Sequence, residues 1–108
     1  MTFDEYQLRA CKTAVYPQKD AINYLVLGLV SEAGEVAGKL KKLLRDREGV
    51  IGVYEKQMMA EEIGDVLWYA AMLAVELNTT LSSIARDNVE KLQSRQTRGV
   101  LGGSGDNR

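Results

Sequence analysis

At 108 residues, with 45% hydrophobic and 27% charged side chains, the chain has the composition of one globular domain with a core of limited size. Lys and Arg number 14 against 15 Asp and Glu, and a net charge of -1 gives no electrostatic case for a nucleic acid polymer or an anionic membrane surface. The single cysteine, Cys11, cannot close an internal disulfide, no apolar run is long enough to span a bilayer and no leader pattern opens the chain, so a cytoplasmic protein is expected.

Apolar residues recur mostly at spacings of three and four, which predicts an all-α four-helix bundle. A first helix is expected from about Thr2 to Thr13, with Cys11 as a small core residue. The stretch "VYPQKD" breaks it, because Pro17 restricts both itself and the residue before it. A second helix is expected from about Asn23 to Arg45, with Val26, Leu29, Val30, Ala33, Val36, Ala37, Leu40 and Leu44 in one stripe and basic residues at its end, where they suit the helix dipole. Gly34 and Gly38 read as sites of close helix packing. The connection "DREGVIGVY" turns at Gly49 and Gly52, and Val50 to Tyr54 reads as a short strand or an extended piece. A third helix follows from about Lys56 to Leu77, then "NTT" as a capping turn, and a fourth from about Leu81 to Arg98. Residues 1–98 thus form one helical domain, and 99–108 a flexible, Gly-rich tail.

Four acids stand out. Glu32 and Glu35 lie three apart on the second helix, and Glu62 and Asp65 repeat the spacing on the third. At about 100° per residue, positions three apart point within roughly 60° of one another, so each helix carries a two-carboxylate claw. On the third helix the predicted apolar stripe is Met59, Ile63, Val66, Tyr69, Ala70, Leu73 and Leu77, and Glu62 falls inside it. An ionised carboxylate in that position must be protonated, paired or bound to a cation. Oxygen donors converging from two helices suit a hard ion such as Mg²⁺, with Mn²⁺ able to substitute. Each pair taken alone also reads as a solvated helix face, with Glu35 and Lys39 as an ordinary i, i+4 partnership. The absence of histidine excludes Glu-x-x-His di-iron sites, zinc proteases and His-dependent nucleophiles. "GEVAGKL" is too short between its glycines, and lacks the hydroxyl residue after Lys39, to be a phosphate loop.

Glu32-x-x-Glu35 followed by Glu62-x-x-Asp65 resembles the defining motif of the MazG-like nucleotide pyrophosphohydrolases. So do "FDEYQ", "TAVYP", "GLVSEAGEVAGKLKK", "EEIGDVLWYAAMLA", "NVEKLQSR" and "RGVLGGSGDNR", which together cover most of the chain and match the compact single-domain branch. The resemblance implies hydrolysis of a nucleoside triphosphate between its α and β phosphates, giving a monophosphate and pyrophosphate. It implies Mg²⁺ held by Glu32, Glu35, Glu62 and Asp65, which are also the catalytic residues, and a house-cleaning role against non-standard or surplus nucleotides. Some relatives carry a further glutamate just before the first motif acid as general base. Ser31 stands there in this chain, which leaves Glu32 or Glu35 to activate water, with Glu61 angled away from the claw.

Asn88, Lys91 and Arg95 share spacings of three and four on the fourth helix and form one row, which resembles the family's substrate-binding helix and otherwise reads as a solvated polar face. Tyr69 and Lys39 complete the candidate substrate contacts, with a core tyrosine and a Glu35 ion pair as their plainer readings. Arg98 and Arg108 in the tail are positioned to close over substrate. Trp68, Met72 and Val75, off the main stripe, predict a homodimer or a dimer of dimers, in which Tyr6, Gln7 or Trp68 reaches a neighbour's nucleotide. The rival readings are a non-catalytic helical module that binds a nucleotide or divalent cation, and a phosphoribosyl-ATP pyrophosphatase.

Overall fold

Four helices make up the chain, and side-chain caps open the first and the last of them. In the computed structural model, which describes all 108 residues, they are α1 (Phe3–Cys11), α2 (Ala21–Asp46), α3 (Val53–Glu76) and α4 (Leu81–Thr97), and there is no strand. Thr2 opens α1 with a capping box: its hydroxyl accepts the Glu5 N–H at 3.1 Å while the Glu5 carboxylate accepts the Thr2 N–H at 3.0 Å. Thr80 opens α4 by accepting the Ser83 N–H at 3.0 Å. The chain leaves α2 through Glu48 and Gly49, both at positive φ, as the Gly49 N–H returns to the Leu43 carbonyl at 2.9 Å. Val53 and Tyr54 already belong to α3, so the reading of Val50 to Tyr54 as a strand falls away. α2 begins at Ala21, two residues before the predicted Asn23.

α2 packs along α3, α1 lies on α3, and α4 touches α1 and α3 without reaching α2. The core is small: Ala10, Leu25, Ala71, Met72 and Leu81 are buried together, with Tyr6, Cys11, Tyr16, Trp68 and Tyr69 packed around them. The segment between α1 and α2 is tied to α3 by polar contacts. Trp68 donates its indole N–H to the Thr13 hydroxyl at 2.8 Å, and the Tyr16 hydroxyl donates to Glu76 at 2.6 Å. Burial and that carboxylate push the Tyr16 phenol up to about 12.

The buried face of α3 is rotated from the one its sequence predicts. Met72 is fully buried, Trp68 and Val75 pack against the core, and Ile63 and Leu77 are exposed. α3 is apolar around much of its circumference, so the docking of α1, α2 and α4 on it selects the face that becomes interior. Met72 is therefore a core residue of this chain rather than a surface for a neighbour, while Trp68 and Val75 remain partly exposed. Gln7 is likewise committed internally: its side chain accepts the Leu81 N–H at 2.8 Å and donates to the Thr79 carbonyl at 3.3 Å, joining α1 to the start of α4.

α2 keeps a second apolar seam with nothing on it. Val26, Val30, Ala33, Ala37, Leu40 and Leu44 follow an unbroken four-three repeat, and all are exposed, Val30 at 66% and Leu44 at 63%. The chain exposes 7924 Å², where a compact monomer of this mass exposes about 6,000 Å². Its radius of gyration is 16.8 Å, against about 13 Å for a compact domain of this length. No helix is long and apolar enough to cross a membrane.

Candidate metal and nucleotide site

The acid pairs meet because they sit at facing positions of the α2–α3 hairpin. Apart from Gly38, the less exposed positions of α2 are Ala21, Leu25, Gly28, Leu29, Glu32, Val36, Lys39 and Leu43, at the spacing of one helical face, so Glu32 is part of the α3-facing stripe. Glu62 and Asp65 answer it from α3. One carboxylate oxygen from each of Glu32, Glu62 and Asp65 lies within 4.8 Å of the others, an oxygen-only donor group able to hold a metal ion. Glu35 stays outside that group, exposed one turn along α2 and free of any ion pair or hydrogen bond.

Crowding shows in the electrostatics of Glu32, whose carboxyl is raised above its ordinary value. Desolvation contributes most, followed by the charges of Asp65 and Glu62, a hydrogen bond with Glu62 and the charge of Glu35. Lys39 relieves part of the charge. Its Nζ lies 3.1 Å from Glu62 Oε1, with the two side chains only 25% and 18% exposed. This ion pair spans α2 and α3, whereas the sequence pointed to Glu35 as the partner. The signal for it was spacing: Lys39 lies seven residues, close to two turns, beyond Glu32 and so shares its face. Beside Lys39 is a cavity of ≈ 210 Å³ lined also by Lys42, Leu43, Glu55, Met58 and Met59.

An aromatic cluster lies next along the hairpin, with the Tyr69 ring 6.4 Å from Tyr24 and 5.1 Å from Trp68, centroid to centroid. The Tyr69 phenol is raised by burial first, then by a hydrogen bond with and the charge of Tyr24, then by the charges of Glu32 and Asp65. Tyr6, which packs against the core from α1, is raised by burial and then by the charge of Asp65. A Cβ at Gly28 would collide with the Tyr69 ring, whereas nothing lies within 4 Å of a Cβ at Gly34 or Gly38. Gly28, not the two predicted glycines, is where α2 admits a close neighbour.

The row on α4 separates into different environments. Asn88 and Lys91 are exposed and make no side-chain bond, on a helix that does not touch α2. Arg95 is buried and donates to the Asp106 carbonyl at 2.6 Å. The tail folds against the end of α4: Arg98 donates to the Arg108 carbonyl, and the Arg108 guanidinium donates to the carbonyls of Val100, Leu101, Gly102 and Gly105. Arg95, Arg98 and Arg108 therefore use their donors within the chain.

Comparison with known proteins bears on the same hairpin. The chain is 47% identical over 114 aligned positions to the Gene 37 protein of Mycobacterium phage L5, with the whole of both chains covered. No solved structure matches it. A family described as the MazG nucleotide pyrophosphohydrolase domain matches residues 21–100. That span contains all of α2, α3 and α4 with the acid group between them, and the chain belongs to this family.

Proposed function

We propose that the protein is a Mg²⁺-dependent nucleoside triphosphate pyrophosphohydrolase, cleaving an NTP or dNTP between the α and β phosphates, in a house-cleaning role on non-standard or surplus nucleotides. The observation that carries this reading is the convergence of Glu32, Glu62 and Asp65 from α2 and α3 within the span that matches the family. The donor set fits the ion: three hard oxygens, crowded enough to raise Glu32 and to recruit Lys39. When bound, Mg²⁺ (or Mn²⁺ in its place) supplies charge neutralisation on the phosphate oxygens and acidifies a water.

The chain's own groups supply the rest. Glu35, exposed and unpaired one turn from Glu32, is available as a fourth acid to the metal or as acceptor of the attacking water's proton. The water oxygen bonds to phosphorus as the bridging P–O bond breaks, and the electron pair leaves with pyrophosphate. Lys39, released from Glu62 once a cation takes its place, is available to offset charge on the departing oxygens. Tyr69 packs over Gly28, one turn along the hairpin from the acid group, where its ring is placed to meet a bound nucleotide.

Asn88 and Lys91 point to an assembled site, because α4 does not approach α2 in its own chain while the seam from Val26 to Leu44 is bare. A homodimer or dimer of dimers that covers the seam and presents α4 to a second hairpin accounts for both. The experiment is pyrophosphate release from a panel of ribo- and deoxynucleoside triphosphates with Mg²⁺. Turnover of at least one is expected, and nucleotide binding with no turnover of any would replace the enzyme by a binding module.

A further inference from the structure

We infer that Lys39 is a resident counter-ion of the acid group: it holds Glu62 when no metal is bound, competes with a divalent cation for that carboxylate, and is displaced as the cation enters. The inference deepens the proposed metal site and rests on it.

Three features of Lys39 support this. Its ion pair with Glu62 is the only one joining two helices, since the other two, Arg45–Asp46 and Arg86–Asp87, are between chain neighbours on exposed surfaces. It is also mostly shielded from water, so neither partner is readily given up without a replacement charge. A divalent cation is such a replacement for Glu62, but it needs the oxygen lone pairs that the ammonium faces at 3.1 Å, and it is repelled by a positive charge at that distance. Lys39 also has somewhere to go. The adjoining cavity of ≈ 210 Å³ is walled by Leu43, Met58 and Met59, whose flexible thioethers adapt to a relocated lysine stem, and by Glu55, a second carboxylate for its ammonium.

The cost of displacement sets the cation affinity. A site with an internal counter-ion binds metal more weakly than the same carboxylates without one, and its folded form depends less on metal. The test is a titration of the full-length protein with Mn²⁺, followed by the electron paramagnetic resonance signal of the free ion, alongside the thermal midpoint without metal. Lys39→Met is expected to bind Mn²⁺ at least fivefold more tightly than wild type while its metal-free midpoint falls. Lys41→Met, which removes an exposed lysine of the same helix, is expected to bind like wild type. Lys39→Gln, neutral yet able to donate to Glu62, serves if Lys39→Met does not fold, with the same gain in Mn²⁺ affinity expected. Unchanged or weaker Mn²⁺ binding in the Lys39 variants overturns the counter-ion role, as does an equal gain in Lys41→Met. Failure of the wild type itself to bind Mn²⁺ overturns instead the metal reading of Glu32, Glu62 and Asp65.

Discussion

The ring of Tyr69 occupies the volume that a side chain at Gly28 would need, so α2 and α3 meet there across bare backbone. Gly28 is one turn before Glu32 and Tyr69 one turn after Asp65, which makes this contact a spacer for the acid group. Gly28→Ala is expected to lower stability by about 1–3 kcal/mol through overpacking. Gly34→Ala, with open space around its Cβ, should leave stability equal or raise it by up to ~1 kcal/mol, since alanine is the better helix former. Urea denaturation of both variants checks the contrast.

Glu62→Gln should abolish stabilisation by Mg²⁺. A ligand that binds only the folded form at a hundred times its dissociation constant contributes about 2.7 kcal/mol, so the wild-type thermal midpoint should climb with Mg²⁺ while the variant's stays flat. Glu61→Gln, the exposed neighbour outside the acid group, should behave as wild type. Equal responses in the two variants would dissociate Glu62 from the metal.

The raised carboxyl of Glu32 gives the metal-free protein a pH signature. The folded chain holds this proton more tightly than the unfolded one, so this group's contribution to stability falls as pH rises from its ordinary 4.5 through the raised value. Glu32→Gln, without the charge, is expected to melt higher than wild type at neutral pH in chelator, with the advantage shrinking as pH falls through the raised value toward 4.5 and wild-type Glu32 protonates. Added Mg²⁺ should reverse the order at neutral pH. Thermal scans at several pH values, with and without the ion, measure both effects.

Lys91 and Arg95 share a row on α4 but differ in surroundings. Lys91→Ala should keep its stability within about half a kcal/mol, as expected for a solvated side chain. Its kcat/KM should fall at least ~tenfold, equivalent to about 1.4 kcal/mol of transition-state stabilisation. Arg95→Ala should instead lose about 1–3 kcal/mol of stability by leaving the Asp106 carbonyl without its donor. Wild-type kinetics in Lys91→Ala would return that side chain to a solvated face.

Val30→Glu tests the bare seam of α2. A charge placed in the middle of an apolar helix interface is poorly tolerated, while at an exposed monomer position it is nearly neutral. Light scattering should show a larger species for wild type and a shift toward monomer in the variant, with helical content retained. An unchanged mass in solution would remove the seam as the subunit contact.

The sequence by itself determined what one helix can determine. Spacings of three and four fixed the helical fold, and the capping residues Thr2 and Thr80 mark where helices begin. The spacing of three also put Glu32 beside Glu35 and Glu62 beside Asp65, because residues that far apart share a face whatever the rest of the chain does. Tertiary structure decided what depends on a second element. α3 is apolar on too many sides for its sequence to choose an interior, so its contacts with α1, α2 and α4 together made Met72 core, packed Trp68 and Val75 against it and left Ile63 and Leu77 outside. Packing of α2 against α3 selected three of the four acids as a close group, left Glu35 apart and gave Lys39 to Glu62. Arg95 followed the same rule: its place in the row on α4 was legible, but the fold of the tail, through the Asp106 carbonyl, gave that buried cation an internal partner. Long, flexible side chains such as lysine and arginine reach whichever opposite charge or carbonyl the folded chain brings near, and that choice is made by contacts between elements distant in sequence.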